Sequence, residues 1–80
     1  MVSELLQSIK NYYLDTEVKL LNLKTKQLDT FVVFEIRTKN EKWLLILTND
    51  KTEDYLELSF NLLEDIQSYL DLIKELESVE

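Results

Sequence analysis

The 80 residues are expected to form one α+β domain: a four-stranded antiparallel meander sheet flanked by an N-terminal and a C-terminal helix, in the order α-β-β-β-β-α. Three observations lead there. Apolar residues recur at helical spacing at both ends of the chain. Between them lie four runs rich in β-branched, aromatic and leucine residues, separated by polar turns. Two hairpins, registered independently, then place their apolar residues on the same face. A hydrophobic fraction of 45% also makes a disordered chain a poor reading, because disorder requires low hydrophobicity.

In the first element, Leu5, Leu6, Ile9, Tyr12 and Tyr13 share a helical face, with Ser3 as the expected cap and a break at Asp15-Thr16. The first strand is expected over 17–23. Its alternation is imperfect: Val18 and Leu20 favour one inward face, Leu21 and Leu23 the other, and a bulge near Leu20-Leu21 would reconcile them. Lys24 to Gln27 forms a polar turn. The second strand covers 30–37, and Lys39-Asn40 makes a tight turn into a third strand over 42–48. A polar loop over 49–54 leads to a fourth strand over 55–60. Asn61 with Glu64 resembles a capping box for the last helix. There Leu62, Ile66, Tyr69, Ile73 and Leu76 form a stripe flanked by Leu63 and Leu70.

The registers follow from the turns. Thr38 opposite Glu41 sets Ile36 against Trp43, Phe34 against Leu45 and Val32 against Leu47. Thr48 opposite Tyr55 sets Leu47 against Leu56, Leu45 against Leu58 and Trp43 against Phe60. The shared face is wholly apolar, so both helices are expected to cover it, with Trp43 in the core. The other face collects Phe31, Val33, Leu44, Ile46 and Tyr55 among polar residues. If no helix covers that set, it is a surface for self-association. The competing arrangement places one helix on each face.

Composition excludes much chemistry. The chain has no Cys, His, Gly or Pro. That removes thiol nucleophiles, disulfides, the commonest metal ligand and general base, and every glycine-built phosphate loop. Turns must use Asn, Asp, Lys and Thr. The loop 49–54 has oxygen ligands at alternate positions. Tyr55 and Asn61 stand where a calcium loop needs Gly and Glu, so the loop reads as a plain turn. No metal, cofactor or catalytic residue is expected, and catalysis by paired carboxylates would need a desolvated cleft. Without a leader or an apolar run of membrane length, the expected location is the cytoplasm.

Charge is the strongest functional signal. Asp50 to Glu80 holds ten acids against two lysines, net −8 in a chain of net −7. On the last helix Glu64, Asp71 and Glu75, with Ser68 between them, fall in one row opposite the apolar stripe, and Glu53, Asp54 and Glu57 could extend it. Acids continue through Glu75, Glu77 and Glu80, where the helix dipole disfavours negative charge by ~0.3–1 kcal/mol each. Charge rows of this kind ordinarily serve solubility. The bases Lys19, Lys24, Lys26, Arg37, Lys39 and Lys42 sit near strand ends, where edge protection is the usual role. Of the aromatic residues, Trp43 and Tyr69 are expected in the core, and Tyr13 and Tyr55 at the surface.

These features favour a small acidic protein-interaction module over an enzyme. The expected role is a stoichiometric inhibitor whose carboxylates occupy a basic, nucleic-acid-binding surface of a larger protein, such as a nuclease, by phosphate mimicry. Small acidic immunity proteins and anti-CRISPR or anti-nuclease proteins are analogues in charge and size only. Neither nucleic acid itself nor a membrane is an expected partner, since phosphates would be repelled. The alternative is a structural or regulatory subunit that dimerises through the mixed sheet face.

Overall fold

The computed structural model describes residues 2–78. Of the expected C-terminal acids, Glu80 and the side chain of Glu77 lie outside the described residues. The elements follow the expected order: α1 (Val2–Tyr13), β1 (Glu17–Asn22), β2 (Gln27–Lys39), β3 (Lys42–Asn49), β4 (Tyr55–Phe60) and α2 (Leu63–Ser78). The strands form one antiparallel sheet in the order β1-β2-β3-β4. Ser3 stands within the first turn of α1 instead of capping it, and α2 starts two residues after Asn61.

A chain without glycine must place residues bearing a Cβ in the left-handed region. Asp15, Lys26, Asn40, Glu41 and Glu53 do so, with φ of 66°, 59°, 52°, 64° and 64°. Each is a turn residue, where a local gain in chain reversal offsets a cost of about 1–2 kcal/mol. Asn40 and Glu41 together form the two-residue β2–β3 turn, with Lys39 opposite Lys42. Positive φ at both central positions is the type I′ geometry, whose twist matches the strands it joins. The turn therefore lies one residue beyond its expected place at Lys39-Asn40. The register moves by two: Thr38 faces Trp43, and Ile36 faces Leu45. A shift of two leaves side chains on their expected faces.

The larger departure is a bulge in β2. Ladder pairing shifts between Val33 and Glu35, with Phe34 as the extra residue. One extra residue reverses the inward–outward phase of everything before it. Phe31 and Val33 thus point into the core, and Phe34 points out and is 51% exposed. The expected inward positions of Val32 and Phe34 are corrected by this bulge. No bulge interrupts β1, whose pairing with β2 is continuous from Glu17 to Asn22. β3 and β4 pair in the expected register, Trp43 opposite Phe60, Leu45 opposite Leu58 and Leu47 opposite Leu56.

One core joins both helices to one sheet face. Ile9 and Tyr13 of α1, and Leu63, Ile66, Leu70 and Ile73 of α2, pack with Val18, Phe31, Val33, Ile36, Leu45 and Leu47. Trp43, Leu56, Leu58 and Phe60 are half-buried against this cluster. The arrangement with one helix on each face is thereby excluded. The buried stripe of α2 is rotated slightly from the expected one, so that Leu62 and Leu76 are exposed. Among the described residues, no helix is long and apolar enough to cross a membrane.

Candidate functional site

The acidic row of α2 rests on a rigid support. Four buried residues, Leu63, Ile66, Leu70 and Ile73, fix the helix on the sheet. Residues on the opposite side then face solvent, because a helix turns through 3.6 residues. Glu64, Ser68, Asp71 and Glu75 are all exposed there. At a rise of about 1.5 Å per residue, the three carboxylates stand roughly 10 Å and 6 Å apart along the axis. The row is not purely solvated, since the Tyr13 hydroxyl donates to Asp71 Oδ1 and ties α1 to α2 at that point. Tyr13 follows the buried Ile9 by four residues on α1, so its ring packs inward while its hydroxyl reaches Asp71. It is 4% exposed and belongs to the core, contrary to its expected surface position, whereas Tyr12 beside it is exposed.

Lys74 is the one basic residue of α2. Its Nζ donates to the backbone carbonyl of Glu17 on β1, and its side chain lines a shallow cleft with Tyr13 and Asp71. The last turn of α2 has no basic residue to oppose the helix dipole. The row is therefore acidic along its whole described length.

The other expected acids do not all join it. Glu57 pairs with Ile46 on the sheet face opposite the helices, so strand alternation separates it from the row. Glu53 and Asp54 are exposed in the β3–β4 loop, at the end of β4 away from the start of α2. In that loop the buried Asn49 accepts from the backbone N–H groups of Lys51 (2.9 Å) and Thr52 (3.2 Å) through Oδ1. Thr52 Oγ1 donates to Asp54 Oδ2 at 3.1 Å. Asn22 plays the equivalent part in the β1–β2 loop, accepting from Lys24 N–H at 2.9 Å. Both Asn side chains donate to Asp29 Oδ2, at 2.6 Å from Asn22 and 3.4 Å from Asn49. Asp29 thus fastens two side-chain turns together, which is how this end of the sheet is built without glycine.

The expected self-association patch of Phe31, Val33, Leu44, Ile46 and Tyr55 does not form. Phe31 and Val33 lie beneath the helices because of the β2 bulge. Leu44 and Ile46 do face away from the helices, yet each is only 5% exposed. They stand on β3 between Glu35 and Arg37 on one side and Glu57 and Ser59 on the other. The stems of Glu35, Arg37 and Glu57 shield them. Glu35 and Arg37 also approach each other at 3.8 Å. Phe34 and Tyr55 stand exposed on this face, edge-on with centroids 5.9 Å apart.

More apolar surface is bare around β1, on this face and at its edge. Leu21, Leu23 and Leu28 of the β1–β2 hairpin are 58%, 81% and 63% exposed, and Leu76 at the end of α2 is 61% exposed. A groove of about 550 Å³ runs along β1, walled by Leu20, Leu21 and Leu28 and overhung by Ile73 and Leu76. A second cleft, of about 380 Å³, opens between this hairpin and α2, where Phe31, Leu56, Leu58 and Tyr69 meet. Burial pushes the Tyr69 phenol above its usual value of 10.0. These leucines were not among the expected site residues. The signal that could have found them is apolar character on both faces of β1, read in the sequence as a bulge.

Compared with protein-family models, with curated proteins and with solved structures, the chain matches none.

Proposed function

We propose that the protein is a small, non-catalytic, acidic interaction module that docks its α2 row on a basic surface of a larger protein. The partner surface is of the kind that holds nucleic acid, and docking blocks it stoichiometrically. One observation carries the reading: Glu64, Asp71 and Glu75 stand exposed in a row on a helix fixed to the sheet. Carboxylates at set spacing on a rigid helix offer Arg and Lys charge-assisted acceptors, as a phosphate backbone does. A chain of net −7 also steers basic partners toward itself.

The test is calorimetric titration of a partner captured from the native host, with wild type and with Glu64→Lys/Asp71→Asn/Glu75→Lys. Asp71→Asn keeps an oxygen for the Tyr13 hydroxyl and so protects the fold. The variant is expected to lose binding, and wild-type affinity to fall steeply with salt. Equal affinity for both proteins would remove the acidic row from the interface.

A further inference from the structure

We infer that a notch between α1 and α2, beside the acidic row, seats an arginine side chain of the partner protein. The inference rests on the reading that the α2 row docks on a basic protein surface, and it names the side chain received there. Ser8 and Tyr12 stand four residues apart on α1, and Gln67 and Asp71 stand four apart on α2, so each pair shares a face of its helix. These four line one notch of about 120 Å³, with Ile9 and Tyr13 as its other walls. Ile9 and Tyr13 belong to the core, which fixes α1 where it meets α2. The Tyr13 hydroxyl on Asp71 Oδ1 joins the two helices at the notch. Asp71 is therefore both a member of the row and a wall of this site.

The occupant follows from size and from the balance of donors and acceptors. Pockets for small molecules run to about 300–1,000 Å³, so this notch takes a single side-chain head. Its acceptors are in surplus. Asp71 Oδ2 has no hydrogen-bond partner among the described residues, and neither the Ser8 hydroxyl nor the Gln67 carboxamide makes a side-chain hydrogen bond there. None of the six lining residues is basic, and Lys74 lines only the neighbouring cleft, with Thr16. A carboxylate, a carboxamide oxygen and a hydroxyl spread around one notch suit a planar fork of five donors better than the point charge of a lysine. Tyr12 adds a reason specific to arginine. Its ring is 74% exposed and meets Tyr13 at a T-shaped 66°, so a face is bare for a guanidinium to stack on.

Titration of the isotope-labelled protein with N-acetyl-arginine amide, followed by NMR at low salt, tests the site without the partner. N-acetyl-lysine amide is the control. The arginine probe is expected to shift the Gln67 side-chain amide and the backbone amides of Ser8 and Tyr12 saturably, and the lysine probe to bind there more weakly. Tyr12→Ala and Gln67→Ala are each expected to weaken arginine binding about threefold, with an unchanged circular dichroism spectrum. Equal binding of the two probes overturns the assignment to arginine. Shifts confined to Glu64 and Glu75, or a constant unchanged in both variants, overturn the notch. The docking reading fails separately. A captured partner that loses affinity for the row variant yet binds Tyr12→Ala/Gln67→Ala like wild type removes the notch and keeps the row.

Discussion

The two hairpins that share β3 differ in how they keep their side chains in phase. β3 and β4 pair without interruption, and every inward residue of β4 is apolar. β2 and β3 meet through a type I′ turn and then a bulge, so β2 presents Ile36 inward on one side of Phe34 and Phe31 and Val33 inward on the other. The difference shows that alternation assigns a face only as far as the next irregularity. A 13-residue strand spanning the sheet must bend where a six-residue strand need not, and a bulge supplies bend and added twist.

The largest effect is expected from truncating two phenylalanines three residues apart. Phe31→Ala empties a site that is 6% exposed and is expected to cost ~3–5 kcal/mol. Phe34→Ala removes a half-exposed ring and its contact with Tyr55, at about 0.5–1.5 kcal/mol. Urea denaturation of both variants decides the phase, and the reverse order of costs would mean the bulge is misplaced.

A smaller effect tests the β2–β3 turn. Glu41 holds φ of 64° in a position where glycine is the favoured residue. Glu41→Gly is expected to stabilise the protein by about 0.5–1 kcal/mol, after its own entropy cost in the unfolded chain. Thermal unfolding should show a raised midpoint. An unchanged or lowered one would mean that the turn is not of type I′.

The smallest effect belongs to the β3–β4 side, where Tyr69 leans on Phe60 with centroids 5.6 Å apart. Burial raises the Tyr69 phenol above 10.0, so the folded state holds its proton more tightly than the unfolded chain. Its contribution to stability is whole below pH 10 and is lost as pH rises through the folded value. Tyr69→Phe should flatten this alkaline loss in denaturation curves measured against pH. Equal slopes for both proteins would show that Tyr69 ionises as it does in the unfolded chain.

Element order, the β3–β4 register and the solvent-facing row of Glu64, Asp71 and Glu75 were all legible in the residue pattern. Each depends on a local period, two for a strand and 3.6 for a helix, which holds between turns whatever the surroundings. The residues that left their expected places did so for non-local reasons. Phe31 and Val33 became core because bending β2 around two helices required an extra residue at Phe34. The Tyr13 hydroxyl found its partner in Asp71, 58 positions away in the chain. Glu57 fell on the opposite face from the acids of α2, a relation fixed only when helix and sheet pack. Leu21, Leu28 and Leu76 met along one groove because α2 overhangs β1. Periodicity names the face of each element, but which face lies against which neighbour is settled by packing, where a single inserted residue exchanges inside for outside.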